Sequence, residues 1–454
     1  MKKIPRLLIS APASGSGKTM LTCGLLKAFS NQGKTLSSFK CGPDYIDPMF
    51  HKEALRIDSY NLDVFLCGEE QVKRLLNKNA SNTDLALIEG VMGYYDGLAG
   101  ISSRASAYDI ARITSTPTVL VVDCKGLSVS VIPYLQGFVN YKEESFIKGV
   151  ILNRLSPMMY GRMKEMIEKE TPLKVYGYLP VMKDCVIESR HLGLHLPTEE
   201  EKMAERLEQL GSEVEKTIDM EGLYELAQTA AELGVEEAKE EIFMQREIPV
   251  RIAVAMDEAF CFIYQDNLKI LEKYGARIVP FSPIADEKLP EDIAGLVLYG
   301  GYPELHAKEL QKNQTMRNAV KRAVMEGMPC IAECGGFMYL MEAIRTEDAV
   351  YEMAGVLPGE SFYTSSLKRF GYATLTEGTV FGKEVGEIPV HEFHYYDAQV
   401  CGDAFLAQKP LSDRKWRCMV STETILAGYP HIHYGGNEKI AEAFVNACRK
   451  RITL

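Results

Sequence analysis

The sequence predicts an α/β protein of two domains, the first built on a parallel sheet. Three observations predict it. Up to about residue 196, short β-branched runs alternate with helical stretches. From about 197 to 246 the composition switches to Glu, Lys, Ala, Leu and Gln at helical spacing. After Ile248-Pro249 the strand–helix rhythm restarts. The expected division is a first domain over 1–196, an acidic helical connector over 197–247 and a second domain over 248–454.

The elements follow in order. Runs at 6–10, 35–40, 85–89, 118–123, 149–153 and 175–179 read as buried strands. Apolar-periodic segments at 18–30 and 156–169 read as helices between them. In the second domain, strands are expected at 250–256, 277–281, 295–299 and 329–332. The sequence contains no internal repeat and no low-complexity tract.

Composition narrows the function. The chain has 454 residues, of which 46% are hydrophobic and 25% charged, ordinary values for a folded protein. No apolar run reaches the roughly 18 residues of a membrane helix. The N-terminal apolar stretch is too short for a signal-peptide core and runs into a Gly/Ser loop, so a cytoplasmic protein is expected. The net charge of −11 is carried by residues 199–241, which hold 15 acidic and 4 basic residues. No basic face for nucleic acid is expected. The 11 cysteines include no Cys-x-x-Cys pair, which argues against a disulfide framework or structural zinc.

The first strand runs into Ala11-Pro12-Ala13-Ser14-Gly15-Ser16-Gly17-Lys18-Thr19 and then a helix. Gly15 and Gly17 let backbone N–H groups cradle phosphate oxygens, and the helix start adds partial positive charge. Lys18 would reach the β- and γ-phosphates, and the Thr19 hydroxyl would ligate Mg²⁺. Pro12 stands where the usual motif begins with Gly. Acidic residues follow at strand ends: Asp44 and Asp47 in Lys40-Cys41-Gly42-Pro43-Asp44-Tyr45-Ile46-Asp47-Pro48, and Glu89 ahead of Gly90-Val91-Met92-Gly93. The carboxyl ends of parallel strands line the ligand crevice, so these carboxylates are expected beside the loop. Asn153 is expected to read an adenine edge.

The second domain holds Pro329-Cys330-Ile331-Ala332-Glu333-Cys334-Gly335-Gly336. A strand that turns sharply into a helix at Cys334 makes a nucleophile elbow. The Gly335 N–H is an oxyanion donor, and the loop Tyr299-Gly300-Gly301-Tyr302-Pro303-Glu304 offers a second from Gly301. A cysteine nucleophile needs a base. His431 and His433, between Pro430 and Gly435-Gly436, are the candidates, with His391 and His394 upstream. In an extended segment both would point the same way, so spacing does not choose between them.

A phosphate site and a thioester site in one chain suit a glutamine-dependent amide ligase. Glutamine hydrolysis supplies ammonia, ATP activates a carboxylate as an acyl phosphate, and ammonia displaces phosphate. The motifs above, with Arg190-His191-Leu192-Gly193-Leu194 and His431-Ile432-His433, resemble the cobyrinic acid a,c-diamide synthase family over essentially the whole chain. The resemblance implies a dethiobiotin-synthetase-like ATP domain fused to a class I-type glutamine amidotransferase domain. It implies ATP and Mg²⁺ at Lys18 and Thr19, with metal and substrate-carboxylate roles at Asp44, Asp47, Glu89 and Asp96. It implies contacts from Arg190 and His191 to a polyanionic corrinoid, and Cys334 as nucleophile. His431 matches the histidine that activates it, with His433 the fallback. The amidotransferase Glu two residues after that His is replaced by His433, so no third member is assigned. The partners implied are small molecules, a corrinoid or related tetrapyrrole with glutamine and ATP, and a homodimer is left open. Cobyric acid synthase shares both domains, but the 40–48 motif and the shorter chain favour the diamide synthase. Nickel-sirohydrochlorin and hydrogenobyrinic acid remain alternative substrates. A partitioning-type switch ATPase is the rival class, and Cys334 argues against it.

Overall fold

The computed structural model describes residues 3–182, 189–190, 193–194, 200–235 and 249–453. The chain forms two compact units, Met1–Val64 with Gly68–Glu236, and Phe65–Cys67 with Glu237–Leu454.

The first unit is built on seven parallel strands: β1 Arg6–Ser10, β2 Leu36–Cys41, β3 Ser59–Leu62, β4 Leu85–Glu89, β5 Thr118–Asp123, β6 Ile147–Asn153 and β7 Lys174–Leu179. Their order is β3-β2-β4-β1-β5-β6-β7. β1, β4 and β5 are almost continuous apolar runs because helices cover both faces of such a sheet. Six strands fall within two residues of their expected positions. The edge strand β3, of sequence SYNL, is the one the pattern misses, being short and half polar.

The acidic stretch does not serve only as a connector. Residues 200–235 belong to the first unit. Helices Glu200–Thr217 and Met220–Gln228, with Ile218 between them, send Leu207, Leu210, Val214, Ile218 and Leu223 into the same core as Leu21, Leu25 and Phe29 of helix α1, Lys18–Asn31. A Cβ at Gly24 of α1 would come 2.8 Å from Val214, so glycine there lets the helices meet. Buried Arg6 donates to the Ala231 carbonyl at 2.6 Å, fastening the end of this segment to β1. Among the described residues, the acidic side chains of this stretch lie mostly on the solvated face of helices whose apolar stripe closes the unit.

The second unit has a six-stranded sheet in the order Ala276–Phe281, Val250–Ala255, Gly295–Leu298, Cys330–Glu333, Ile425–Gly428, Val420–Ser421, parallel except for the last strand. Alternate residues feed two cores. Val254, Val297 and Ile331 join one, and Leu296, Leu298 and Ala332 the other. Beside it lies an antiparallel sheet in the order Lys415–Cys418, Phe405–Gln408, Arg369–Thr376, Ile388–His394, His431–Ile432. The sequence pattern does not reveal it. In Ile388–His394 the buried positions are Ile388, Val390, Glu392 and His394, so two polar residues break the apolar alternation.

Leu210→Ala tests whether the acidic helices are core. It should cost about 2–5 kcal/mol in urea unfolding, whereas a detached connector would lose almost nothing.

Candidate active site

β1 runs directly into the loop and α1. Gly17 has φ 93°, and a Cβ there would strike the Asn153 amide. Asn153, ending β6, donates to the Ser16 carbonyl at 2.8 Å and accepts from the Arg154 N–H at 2.9 Å. Arg154 donates to the Gly15 carbonyl at 2.8 Å and pairs with Asp123 at 2.7 Å. The expected adenine reader thus has its amide engaged in holding the loop from behind. Lys18 folds over the loop, donating to the Met92 carbonyl at 2.5 Å and the Ala13 carbonyl at 3.2 Å. Burial, and the charge of Lys40, bring its pKa down to about 8.

The strand-end carboxylates converge on Lys40, at the end of β2. Its Nζ lies 2.7 Å from Glu89 and 3.9 Å from Asp44, and it is ion-paired with Asp47. Lys40 is 4% exposed and Glu89 fully buried. Burial alone would neutralise Lys40, but Asp47 and Glu89 hold it well above its ordinary pKa. Burial together with the Asp47 charge pushes Glu89 up to about 7. Asp47 goes the other way: burial pushes it up, but Lys40, His51 and hydrogen bonds from Lys40 and Glu89 together hold it below its ordinary value. The Thr19 hydroxyl donates to Glu89 at 2.7 Å. Behind Glu89 sits His51 of helix Ile46–Leu55, with Nε2 at 3.7 Å from Glu89 and Nδ1 at 2.9 Å from the Ser38 hydroxyl. Asp96 accepts from the Gly93 N–H at 2.9 Å, closing the turn after β4.

Thr19, Asp47 and Glu89 are an all-oxygen donor set, and Glu89 Oε2 is buried without a hydrogen-bond partner. Among the described residues no three His, Cys, Asp or Glu side chains could hold a metal by themselves. Arg190 lies in a two-residue strand paired with Gly193. Its side chain and His191 fall outside the described residues. Lys40 and His51 received no role from sequence reasoning. The available signal was a lysine closing a strand whose other residues are mostly buried.

In the second unit, Cys334 follows strand Cys330–Glu333 with φ 49° and ψ −105°, a strained backbone for any residue but glycine. Its N–H donates to the Gly428 carbonyl at 2.7 Å. A Cβ on Gly335 would stand 3.1 Å from the Gly301 nitrogen and 2.8 Å from Pro303. The two expected oxyanion donors are therefore brought side by side. Burial, then Glu304, pushes the Cys334 thiol up.

His431 begins the last strand of the antiparallel sheet, opposite His391. Its ring lies against Gly300, where a Cβ would be 2.6 Å from Cε1. Its Nδ1 is 3.9 Å from Glu333. Burial, then His394, lowers its pKa to about 3. Burial raises Glu333 to about 8. The paired strand ends at Ile432, but the backbone stays extended at His433, with φ −95° and ψ 111°. His433 caps the short turn that follows, accepting from the Gly435 N–H at 3.1 Å, with its ring 4.8 Å from Tyr264. His394 is engaged elsewhere, 3.0 Å from Glu392 and stacked on Tyr429.

His51 and His431 are both held neutral, at about 4 and about 3, against an ordinary 6.5. The unfolded chain takes up these protons as pH falls below 6.5, whereas the folded chain resists. Their contribution is present above 6.5 and lost as pH falls toward those folded values. His431→Asn should flatten the loss of urea-unfolding stability between pH 6.5 and 4 relative to the wild type.

Residues 7–193 match the CobQ/CobB/MinD/ParA nucleotide binding domain, and residues 251–439 the CobB/CobQ-like glutamine amidotransferase domain. Over almost its full length the chain is similar to proteins named cobyrinate a,c-diamide synthase. It is 39% identical over 447 residues to that of Caldanaerobacter subterraneus subsp. tengcongensis, covering 97% of this chain and 98% of the relative. It is 37% identical over 457 residues to that of Priestia megaterium, covering 98% and 97%. It is 37% identical over 446 residues to that of Clostridium tetani, covering 97% and 99%.

Proposed function

Because the chain belongs to the cobyrinate a,c-diamide synthase family, we propose that it amidates the a and c carboxylate side chains of cobyrinic acid with ATP and glutamine. The observation that carries the reading is the pairing, in one chain, of a glycine loop backed by clustered carboxylates with a strained cysteine elbow whose preceding residue, Glu333, lies 3.9 Å from a buried histidine.

The first unit activates the substrate. The loop N–H groups and Lys18 hold the ATP phosphates. Lys18 is already desolvated, so it meets the phosphates without a further large loss of hydration. Thr19, Asp47 and Glu89 would hold Mg²⁺, which takes one or two carboxylates together with phosphate oxygens and water. Bound there, the ion would neutralise phosphate charge. Lys40 balances the carboxylates around it and is placed to meet an incoming carboxylate or phosphate. The substrate carboxylate attacks the γ-phosphate, giving an acyl phosphate and ADP. Ammonia then attacks the acyl carbon and phosphate leaves. Asp44, Asp96, Arg190 and His191 are the proposed substrate contacts.

The second unit supplies the ammonia. Cys334 attacks the glutamine carboxamide, His431 takes the thiol proton and passes it to the leaving nitrogen, and water hydrolyses the thioester. The Gly301 and Gly335 N–H groups receive the developing oxyanion. His431 is preferred over His433 because its ring neighbours Gly300 and Glu333, at the same strand ends as Cys334. The ten described cysteines are free thiols, which supports a reducing, cytoplasmic setting.

Two experiments check this. Cobyrinic acid, hydrogenobyrinic acid and nickel-sirohydrochlorin would each be incubated with the protein, ATP, Mg²⁺ and glutamine, and the products weighed by mass spectrometry. Two amidations of cobyrinic acid are expected. Two on another ring would move the substrate assignment, and none on any ring would defeat the tetrapyrrole reading. Separately, Cys334→Ser should lower glutamine-driven amidation by about 10³-fold or more and leave ammonia-driven amidation intact. Lys18→Ala should lose both.

A further inference from the structure

We infer that Glu333 is the positioning carboxylate of the glutaminase site, orienting His431 and stabilising the imidazolium formed when Cys334 gives up its proton. The inference rests on the roles proposed above for Cys334 and His431.

A histidine that takes a thiol proton through one ring nitrogen needs an acceptor at the other. Glu333 Oε2 is 3.9 Å from His431 Nδ1. At that distance the pair is electrostatic rather than hydrogen-bonded. The same oxygen accepts from the Ile432 N–H at 3.4 Å, so Glu333 also pins the strand that carries His431. The register accounts for the meeting. Strand Cys330–Glu333 runs parallel to Ile425–Gly428 with Glu333 beside Gly428, three residues before His431. The nucleophile and its positioning residue are thus neighbours in sequence, and the base is delivered to both by the adjacent strand.

Two other carboxylates act on Cys334, Glu304 and Glu392, and Glu392 is otherwise engaged. Glu392 faces His394 at 3.0 Å and Arg369 at 3.8 Å. His433, where the resembling amidotransferases carry a Glu, turns toward Tyr264 and Gly435. Glu333 is only 1% exposed, and its Oε1 has no hydrogen-bond partner. A buried carboxyl left half-satisfied costs stability. The backbone N–H of Ile432 does not require it, since a glutamine oxygen would accept the same bond. What only the carboxylate can provide is negative charge beside the ring.

The steps balance. The Cys334 proton passes to His431 Nε2 while Nδ1–H stays turned to Glu333. Sγ bonds to the carboxamide carbon, the C–N bond breaks, and the proton on His431 leaves with the nitrogen as ammonia. Water then attacks the thioester, giving its proton through His431 back to Sγ and releasing glutamate. Glu333 is unchanged by the cycle. Burial holds the resting His431 neutral, so the imidazolium forms only as Cys334 gives up its proton, and Glu333 acts in its ionised form, against the burial that raises it to about 8.

The test is Glu333→Gln in the full-length protein, which keeps volume and an acceptor for Ile432 but removes the charge. Glutaminase kcat should fall about 10²–10⁴-fold, with KM for glutamine little changed. The pH profile of Cys334 alkylation by iodoacetamide should move to higher pH. Ammonia-driven amidation, which bypasses Cys334, should be retained and reports folding. An unchanged kcat overturns the inference, and so does a fallen kcat with an unshifted alkylation profile, because Glu333 would then be packing alone. Should Glu333→Gln fail to fold, Glu333→Asp carries the test. It keeps the charge and should hold the wild-type alkylation profile despite a reduced kcat, and a profile shifted to higher pH would overturn the inference. If Cys334→Ser leaves glutaminase intact, the underlying reading fails instead. If Cys334→Ser abolishes it and Glu333→Gln does not, only this inference falls.

Discussion

Both units depend on one constraint, the dryness of a parallel sheet covered on both faces. Such strands have no wet side, so their interiors must be apolar. Polar chemistry is displaced to the carboxyl ends, where strands break into loops. In the first unit this brings the loop after β1, Lys40 near the end of β2 and Glu89 at the end of β4 to one edge. In the second it brings Glu333, Cys334 and the Gly300–Gly301 turn together. The remaining architecture, helices outside and an added antiparallel sheet, keeps these ends in register.

The two sites manage buried charge differently. The first keeps its charges and balances them, with Lys40 among Asp44, Asp47 and Glu89 and the neutral His51 behind. That suits a site that must receive phosphates and a carboxylate, because the cationic and anionic groups are already oriented. In the second, burial is the larger effect. Its thiol, imidazole and carboxyl are all shifted toward their neutral forms by burial. Such a site generates charge only when substrate is present to use it, which suits a hydrolase whose product is needed elsewhere in the reaction.

Much of the first unit was legible because its signals are local. A glycine loop between a strand and a helix, and acidic residues at strand ends, need no knowledge of distant contacts. The cysteine elbow was legible for the same reason. Lys40 carries no local signal of a role, since a lysine near the end of a strand is usually a solvated one. The acidic helices read as a connector because their charge is visible in composition. Their apolar stripe has meaning only against α1. The antiparallel sheet was hidden because Glu392 and His394 occupy inward positions that apolar alternation would reserve for core.

By itself the sequence determined the class of both units, the order of their central strands along the chain, the glycine loop and the cysteine elbow. Each of these is set by a few residues that are neighbours in the chain. Only the tertiary structure set His431 beside Glu333 and His433 against Tyr264, engaged Asn153 with its loop and gathered the carboxylates on Lys40. Those pairings join residues far apart in the chain. Strand order and register bring them together, and neither quantity is written in any local pattern.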